Sequence, residues 1–181
     1  MKKYLLLALA LGLMTTSVTC PVFADDEAED ATEEKVLKPG QYPAQKAAAK
    51  LRTFGGKVNK KADYYIYLQS ASWCGPCQAE MPDIAKAYAK MKRSKRVDLI
   101  LVSWDENEGA AKGFAKQHRG RFPIVMKDNE KVADLKGFKQ ANGIPFAIIV
   151  DKEGKVVKSG HGSIVKDWED YCPEIEEEDE D

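Results

Sequence analysis

The chain has 181 residues, room for one domain with a hydrophobic core and flanking segments but not for two ordinary domains. Hydrophobic residues make up 44% and charged residues 31%, the balance of a soluble globular chain rather than a disordered or membrane-embedded one. A formal net charge of −1 offers no basic excess, so nucleic acid is not an expected partner.

The chain opens with Lys2 and Lys3, then a leucine-rich apolar run from Tyr4 to Met14, then the small-residue site Val22-Phe23-Ala24. These three parts read as a secretory signal peptide over residues 1–24. The run is shorter than the roughly 20 apolar residues that cross a bilayer, so no stable span is expected after cleavage. Lipoprotein anchoring at Cys20 is the alternative, with Ser17 and Thr19 poor matches to the usual lead-in. Residues 25–41 are expected to be an acidic flexible leader, because they carry too little apolar surface to fold. Residues 42–172 are the expected folded domain, and 173–181 an acidic, solvated tail.

Within the domain, Tyr64 to Gln69 and Val97 to Trp104 are nearly continuous β-branched, aromatic and aliphatic runs. They read as strands buried on both faces, a central parallel pair. Between them Met81, Ile84, Ala85, Tyr88 and Met91 recur at helical spacing, with Lys90, Lys92 and Arg93 at the negative end of the helix dipole. Pro82, inside this helix, is expected to kink it and to be structural. Gly109 to His118 predicts a second helix and Glu130 to Phe138 a short third one. Phe146 to Val150 and Lys155 to Lys158 flank a turn-rich link, Asp151 to Gly154, and predict an antiparallel hairpin. Ser163 to Tyr171 predicts a closing helix capped by Ser163. The expected fold is α/β: a central mixed sheet with helices on both faces.

Removing residues 1–24 leaves three cysteines, Cys74, Cys77 and Cys172, too few for a disulfide-stapled scaffold. The run from Trp73 to Cys77, Trp-Cys-Gly-Pro-Cys, lies between a strand end and a helix start. Unpartnered N–H groups and the positive dipole end there favour a thiolate at Cys74. Cys77, about one turn later, is near enough to bridge back as a disulfide. Pro76 suits the first turn because its missing N–H had no partner to lose, and Gly75 leaves the approach to the sulfur uncrowded. Cys74 then attacks a partner disulfide and Cys77 resolves the mixed disulfide, or the sequence runs in reverse. No metal is expected: a zinc site needs about four ligands, and only His118 and His161 are available besides the cysteines. A covalent haem site needs histidine after Cys77, where Gln78 stands. An inert disulfide bridging so small a loop would stabilise little. Cys172, beside the acidic tail, is expected to be noncatalytic, whether free, glutathionylated or bridged to another chain.

Ser-Ala-Ser-Trp-Cys-Gly-Pro-Cys, Ser70 to Cys77, after a strand and before a helix, resembles the thioredoxin superfamily. Gly143-Ile144-Pro145 matches that family's cis-proline loop opposite the active site, and the resemblance covers most of residues 50–170. Ser-Ala-Ser-Trp together with Val-Ser-Trp-Asp-Glu-Asn, Val102 to Asn107, is similar to tryparedoxins and nucleoredoxins. Cys-Gln-Ala-Glu-Met-Pro, Cys77 to Pro82, is similar to the exported bacterial TlpA/ResA-type branch, which also has a proline at the position of Pro82.

The resemblance implies a thioredoxin-like fold and a redox-active disulfide, Cys74–Cys77, with no bound cofactor. It also implies a bacterial periplasmic location. Ordinary thioredoxins carry a buried aspartate six residues before the first cysteine; here Leu68 stands in that place. The TlpA/ResA branch has an acid at the position of Glu80, which is either the substitute proton acceptor or an acid complementing the helix N-terminus. Trp73 and Trp104 are expected near the cleft, where ligands of open α/β sheets bind; in tryparedoxin-like proteins the matching tryptophan and a nearby acid contact the partner, which casts Trp104 and Glu106 in that role. A core tryptophan beside a solvated acid is the alternative for Trp104 and Glu106. The backbone at Ile144 and Pro145 is expected to pair with an extended peptide.

The expected function is an exported thiol–disulfide oxidoreductase. The expected direction is reduction of protein disulfides, with electrons drawn from a membrane-embedded donor. A thiol peroxidase and a non-enzymatic binding or chaperone module are the rival readings.

Overall fold

The computed structural model describes residues 36–174. The expected signal peptide, Cys20, residues 25–35 of the leader and residues 175–181 of the tail lie outside the described residues.

Six strands form one mixed sheet: β1 (Phe54–Gly55), β2 (Tyr64–Ser70), β3 (Val97–Ser103), β4 (Pro123–Met126), β5 (Phe146–Asp151) and β6 (Val156–His161). Their spatial order is β1-β4-β3-β2-β5-β6. β2 and β3 pair in parallel from Tyr64 opposite Val97 to Ser70 opposite Ser103, and β4 continues in parallel on β3. β5 runs antiparallel to β2, and β6 antiparallel to β5.

All seven residues of β2 and all seven of β3 are buried. A strand covered on both faces has no polar side to show, which is why their sequences read as continuous rather than alternating runs. Period-two alternation nevertheless sorts them. Tyr64, Ile66, Leu68, Val97, Leu99 and Leu101 join a core with α2 (Gly75–Ser94) and α3 (Glu108–Gln117). Tyr65, Tyr67, Ile100 and Val102 face the opposite way, towards α1 (Pro43–Ala49) and Val132 and Leu135. Helices therefore cover both faces, the two longer ones sharing one side. Each fully buried leucine or isoleucine contributes roughly 1.5–3 kcal/mol, so these two layers hold the sheet.

Several boundaries differ from the sequence expectations. α3 starts at Glu108, because Asn107 Oδ1 accepts the Ala110 N–H at 3.0 Å and caps it. The third helix shrinks to one 3-10 turn, Glu130–Val132, and Phe138 lies beyond it. The closing helix is replaced by two 3-10 turns, Gly162–Val165 and Trp168–Asp170. Its N-cap position is taken by His161, not Ser163, with His161 Nδ1 3.4 Å from Ser163 N. Between Ser163 and Tyr171 the buried residues are Val165 and Trp168, with Ile164 and Tyr171 half-buried against the same core. β6 runs on to His161, three residues past the expected Lys158. α2 passes through Pro82 as one continuous 20-residue helix.

Three elements carry no strong sequence signal. α1 packs through Ala44, Ala47 and Ala48, small side chains that make no conspicuous apolar stripe. Its buried Gln45 substitutes for a cap: Oε1 accepts from Gly40 N at 2.6 Å and Tyr42 N at 3.3 Å, and Nε2 donates to Ala62 O at 3.0 Å. β1 has two residues and β4 four, lengths below what periodicity resolves.

Candidate active site

The carboxyl ends of β2 and β3 lie together, since the last residues of the two strands, Ser70 and Ser103, pair across them. Beyond such ends an open α/β sheet offers a crevice. The chain leaves β2 through Ala71, Ser72 and Trp73 and enters α2 with Cys74 as N-cap. A disulfide joins Cys74 to Cys77, their Cα atoms 5.2 Å apart. Cys74 Sγ also accepts the Cys77 N–H at 3.3 Å, one of the otherwise unpartnered donors of the first turn. No acidic side chain occupies that turn, so no residue within it offsets the positive end of the α2 dipole. Both cysteines are buried, Cys77 the more deeply at 1% exposed against 6%.

The loop that carries this pair is anchored by a residue the sequence did not single out as functional. Asp105 follows β3 and is 4% exposed. Its Oδ1 accepts from Ser72 N at 2.9 Å and Ser72 Oγ at 2.6 Å, and its Oδ2 accepts from Ser103 Oγ at 2.8 Å. One carboxylate thus ties the residue two before Cys74 to the end of the neighbouring strand. Gln78 supports the loop from the other side, its Nε2 donating to Ser72 O.

Opposite the disulfide, the Ile144–Pro145 peptide bond is cis, matching the expected loop. Ile144 O lies 3.7 Å from Cys74 Sγ. The segment leading there is fixed by Gln69, fully buried on β2: its Nε2 donates to Lys139 O at 2.9 Å and its Oε1 accepts from Ala141 N at 3.0 Å. Two polar anchors, Asp105 and Gln69, therefore hold the two loops that meet at the sulfur pair.

Around the pair, Trp73 is 62% exposed, and Gly75 and Pro76 are exposed beside it. A Cβ at Gly75 would meet nothing within 4 Å, and the same holds at Gly143 in the facing loop, so the approach to Cys74 is open on both sides. Trp104 is half-buried and packs against the core cluster that contains both cysteines, while Glu106 is exposed two residues further on. Pro145 is buried and Ile144 half-buried. Leu68 is fully buried in the same cluster as Cys74, Cys77 and Met81, so the floor beneath the disulfide is apolar.

Glu80 is half-buried one turn past Cys77 and turns towards the cis-proline side. Its Oε1 lies 3.1 Å from His161 Nδ1, at the end of β6. Its Oε2 is buried with no hydrogen-bond partner among the described residues, and a Cβ on Gly162 would come within 2.9 Å of it and 2.8 Å of Pro145 Cβ. His161 and Gly162 escaped the sequence reading because β6 was expected to end three residues earlier.

Cys172 is a free thiol, 3% exposed, and burial pushes it up to about 12, far from thiolate formation at neutral pH. Among the described residues no three His, Cys, Asp or Glu side chains are grouped to hold a metal ion, and no helix is long and apolar enough to cross a membrane.

The fold is thioredoxin-like. The solution structure of a thiol:disulfide interchange protein from Bacteroides sp. superposes on 68% of this chain and 82% of its own, with a TM-score of 0.53 at 24% identity. The thioredoxin domain of a thiol-disulfide oxidoreductase from Bacteroides vulgatus superposes on 62% of this chain and 81% of its own, with a TM-score of 0.52 at 25% identity. In sequence the chain is 35% identical over 105 residues to the thiol-disulfide oxidoreductase ResA of Bacillus cereus, a match spanning 58% of either protein. The chain thus spans little more than half the length of the curated relatives it matches. The AhpC/TSA family model matches residues 50–159, and the chain belongs to that family.

Proposed function

We propose that this protein is an extracytoplasmic thiol–disulfide oxidoreductase that reduces disulfides in partner proteins. The observation that carries the reading is the Cys74–Cys77 disulfide at the N-terminus of α2, with the Ile144 carbonyl of the cis-proline loop 3.7 Å away. In the reduced enzyme the Cys74 thiolate attacks a partner disulfide, forming a mixed disulfide and expelling one partner thiolate. Cys77 gives up its proton to Glu80, attacks Cys74 and releases the second partner thiolate. The partner gains two electrons and the enzyme returns to the disulfide.

The open flank over Trp73, Gly75, Pro76 and Gly143 suits an extended segment of the partner, with Ile144 offering its backbone edge, Pro145 shaping the loop beneath it, and Trp104 and Glu106 bordering the cleft. The Gly-Pro pair between the cysteines, as in reducing thioredoxins, supports the direction. Residues 1–24 support export, to the periplasm in a bacterial cell. Electrons there come from a membrane-embedded thiol donor in this reading, and the exchange itself needs no bound cofactor.

Insulin reduction tests the reading. With dithiothreitol as donor, catalytic amounts of the wild type are expected to speed precipitation of the insulin B chain, and Cys74→Ser to leave the uncatalysed rate. Equal activity of the two would make the attacking sulfur dispensable and favour a binding or chaperone module. Rapid peroxide consumption without a protein disulfide would favour a thiol peroxidase.

A further inference from the structure

Glu80 and His161 form a pair at the edge of the disulfide, brought together from α2 and the end of β6. Two potential acceptors 3.1 Å apart, Glu80 Oε1 and His161 Nδ1, require a proton between them. The same Nδ1 lies 3.4 Å from Ser163 N and 3.3 Å from Ser163 Oγ. The carboxylate contact is the shorter and is charge-assisted, so it sets the proton's place. The second carboxylate oxygen is left over. Oε2 is buried, lacks a partner among the described residues, and lies beside Gly162, where a Cβ would also meet Pro145, the residue next to the carbonyl that faces Cys74. A buried carboxylate oxygen without a donor is costly, and it is poised to accept a proton that arrives.

We propose that His161 is a positioning residue for proton transfer: it engages Oε1 of Glu80 and so presents Oε2 as the base for Cys77. The inference rests on the oxidoreductase reading above and on Glu80 as the acceptor. In the mixed-disulfide state the Cys77 S–H bond breaks and its proton passes to Oε2. The Cys77 sulfur then bonds to Cys74, and the bond between Cys74 and the partner sulfur breaks. The departing partner sulfur keeps that electron pair and takes a proton from the neutral carboxyl or from solvent. Gly162 is required here because any side chain would press on Oε2 and Pro145.

On α2, Asp83 is engaged by Lys86 at 3.0 Å and held below the usual carboxylate range by Lys86 and then Lys166, so it stays charged near neutrality. Lys166 follows the 3-10 turn after His161. Lys158 on β6 lies over the Tyr171 ring, and β5 presents uncharged Phe146 opposite His161.

The test separates the two chemical steps. Reduced protein is mixed with dithiobis(nitrobenzoate); Cys74 attack releases the first coloured thiolate and Cys77 resolution the second. His161→Ala is expected to slow the second release about tenfold at neutral pH, the scale of one hydrogen bond to a charged group. The first release should change by less than about twofold, because its transition state does not involve the pair. His161→Gln, which can donate to Oε1, is expected to restore most of the second step. In a Glu80→Gln background, His161→Ala should add nothing. Unchanged second release in His161→Ala, equal slowing of both releases, or additive effects in the double variant would overturn the inference while leaving the oxidoreductase reading intact. A wild type that releases neither thiolate would overturn both.

Discussion

Cys77→Ser is expected to halt the reaction midway and accumulate the protein as a near-stoichiometric mixed disulfide through Cys74. The first step survives, because what activates Cys74 is the α2 N-terminus: the positive dipole end, a first turn without acids, and the backbone N–H of residue 77, which serine retains. The second step is lost, because among the described residues the one remaining thiol, Cys172, cannot replace Cys77. Cys172 is 3% exposed and held as a thiol by burial, so it cannot resolve in its place. Turnover should fall to the uncatalysed background, and partners should appear as bands that dithiothreitol releases. Cys74→Ser should give neither turnover nor adducts. Adducts that persist in Cys74→Ser, or form through Cys172 in Cys77→Ser, would contradict these roles.

Asp105→Ala is expected to cost about 3 kcal/mol of stability, read as urea unfolding. The variant removes the acceptor of three hydrogen bonds and leaves the buried Ser103 hydroxyl and the two half-buried Ser72 donors unmatched. A loss of that size lowers the melting temperature by roughly 10 °C in a domain of this length. The injury is also local to function, since Ser72 leads directly to Trp73 and Cys74. Alkylation of reduced Cys74 should become slower at neutral pH as the loop loses its fixed approach to the helix N-terminus. Asp105→Asn keeps one carbonyl oxygen for Ser72 and should lose less, about 1 kcal/mol. A stability change in Asp105→Ala below about 0.5 kcal/mol, the range of ordinary surface substitutions, would remove Asp105 as the anchor.

Those two expectations mark the boundary between what the sequence discloses and what only the fold does. The sulfur chemistry was legible because it is local: strand, Trp-Cys-Gly-Pro-Cys and helix follow one another, and one helix terminus supplies the activation. β2, β3 and α2 were legible for the same reason, each carrying its burial pattern within a single element. Asp105 and Ser72 are 33 residues apart, and Gln69 and Ala141 are 72 apart; nothing in either sequence neighbourhood announces the partner. His161 meets Glu80 only because β6 runs antiparallel to β5 as far as Phe146, the residue after the cis-proline. The helix expected over Ser163 to Tyr171 failed where two buried residues, Val165 and Trp168, were too few to decide between a helix and two separate turns. α1 was missed because alanine packs a helix closely without looking amphipathic.

The central claim is that the Cys74–Cys77 disulfide is a working redox couple rather than a brace, and equilibrium titration measures that directly. The folded protein is held in dithiothreitol and glutathione buffers of graded poise, quenched with an alkylating agent and weighed. The account predicts a reversible two-electron transition that adds two alkyl groups, at Cys74 and Cys77, with Cys172 modified only after unfolding. Its midpoint should lie below about −180 mV, towards thioredoxin at about −270 mV and away from DsbA at about −120 mV. A pair that stays oxidised in excess dithiothreitol while the protein remains folded would contradict the account.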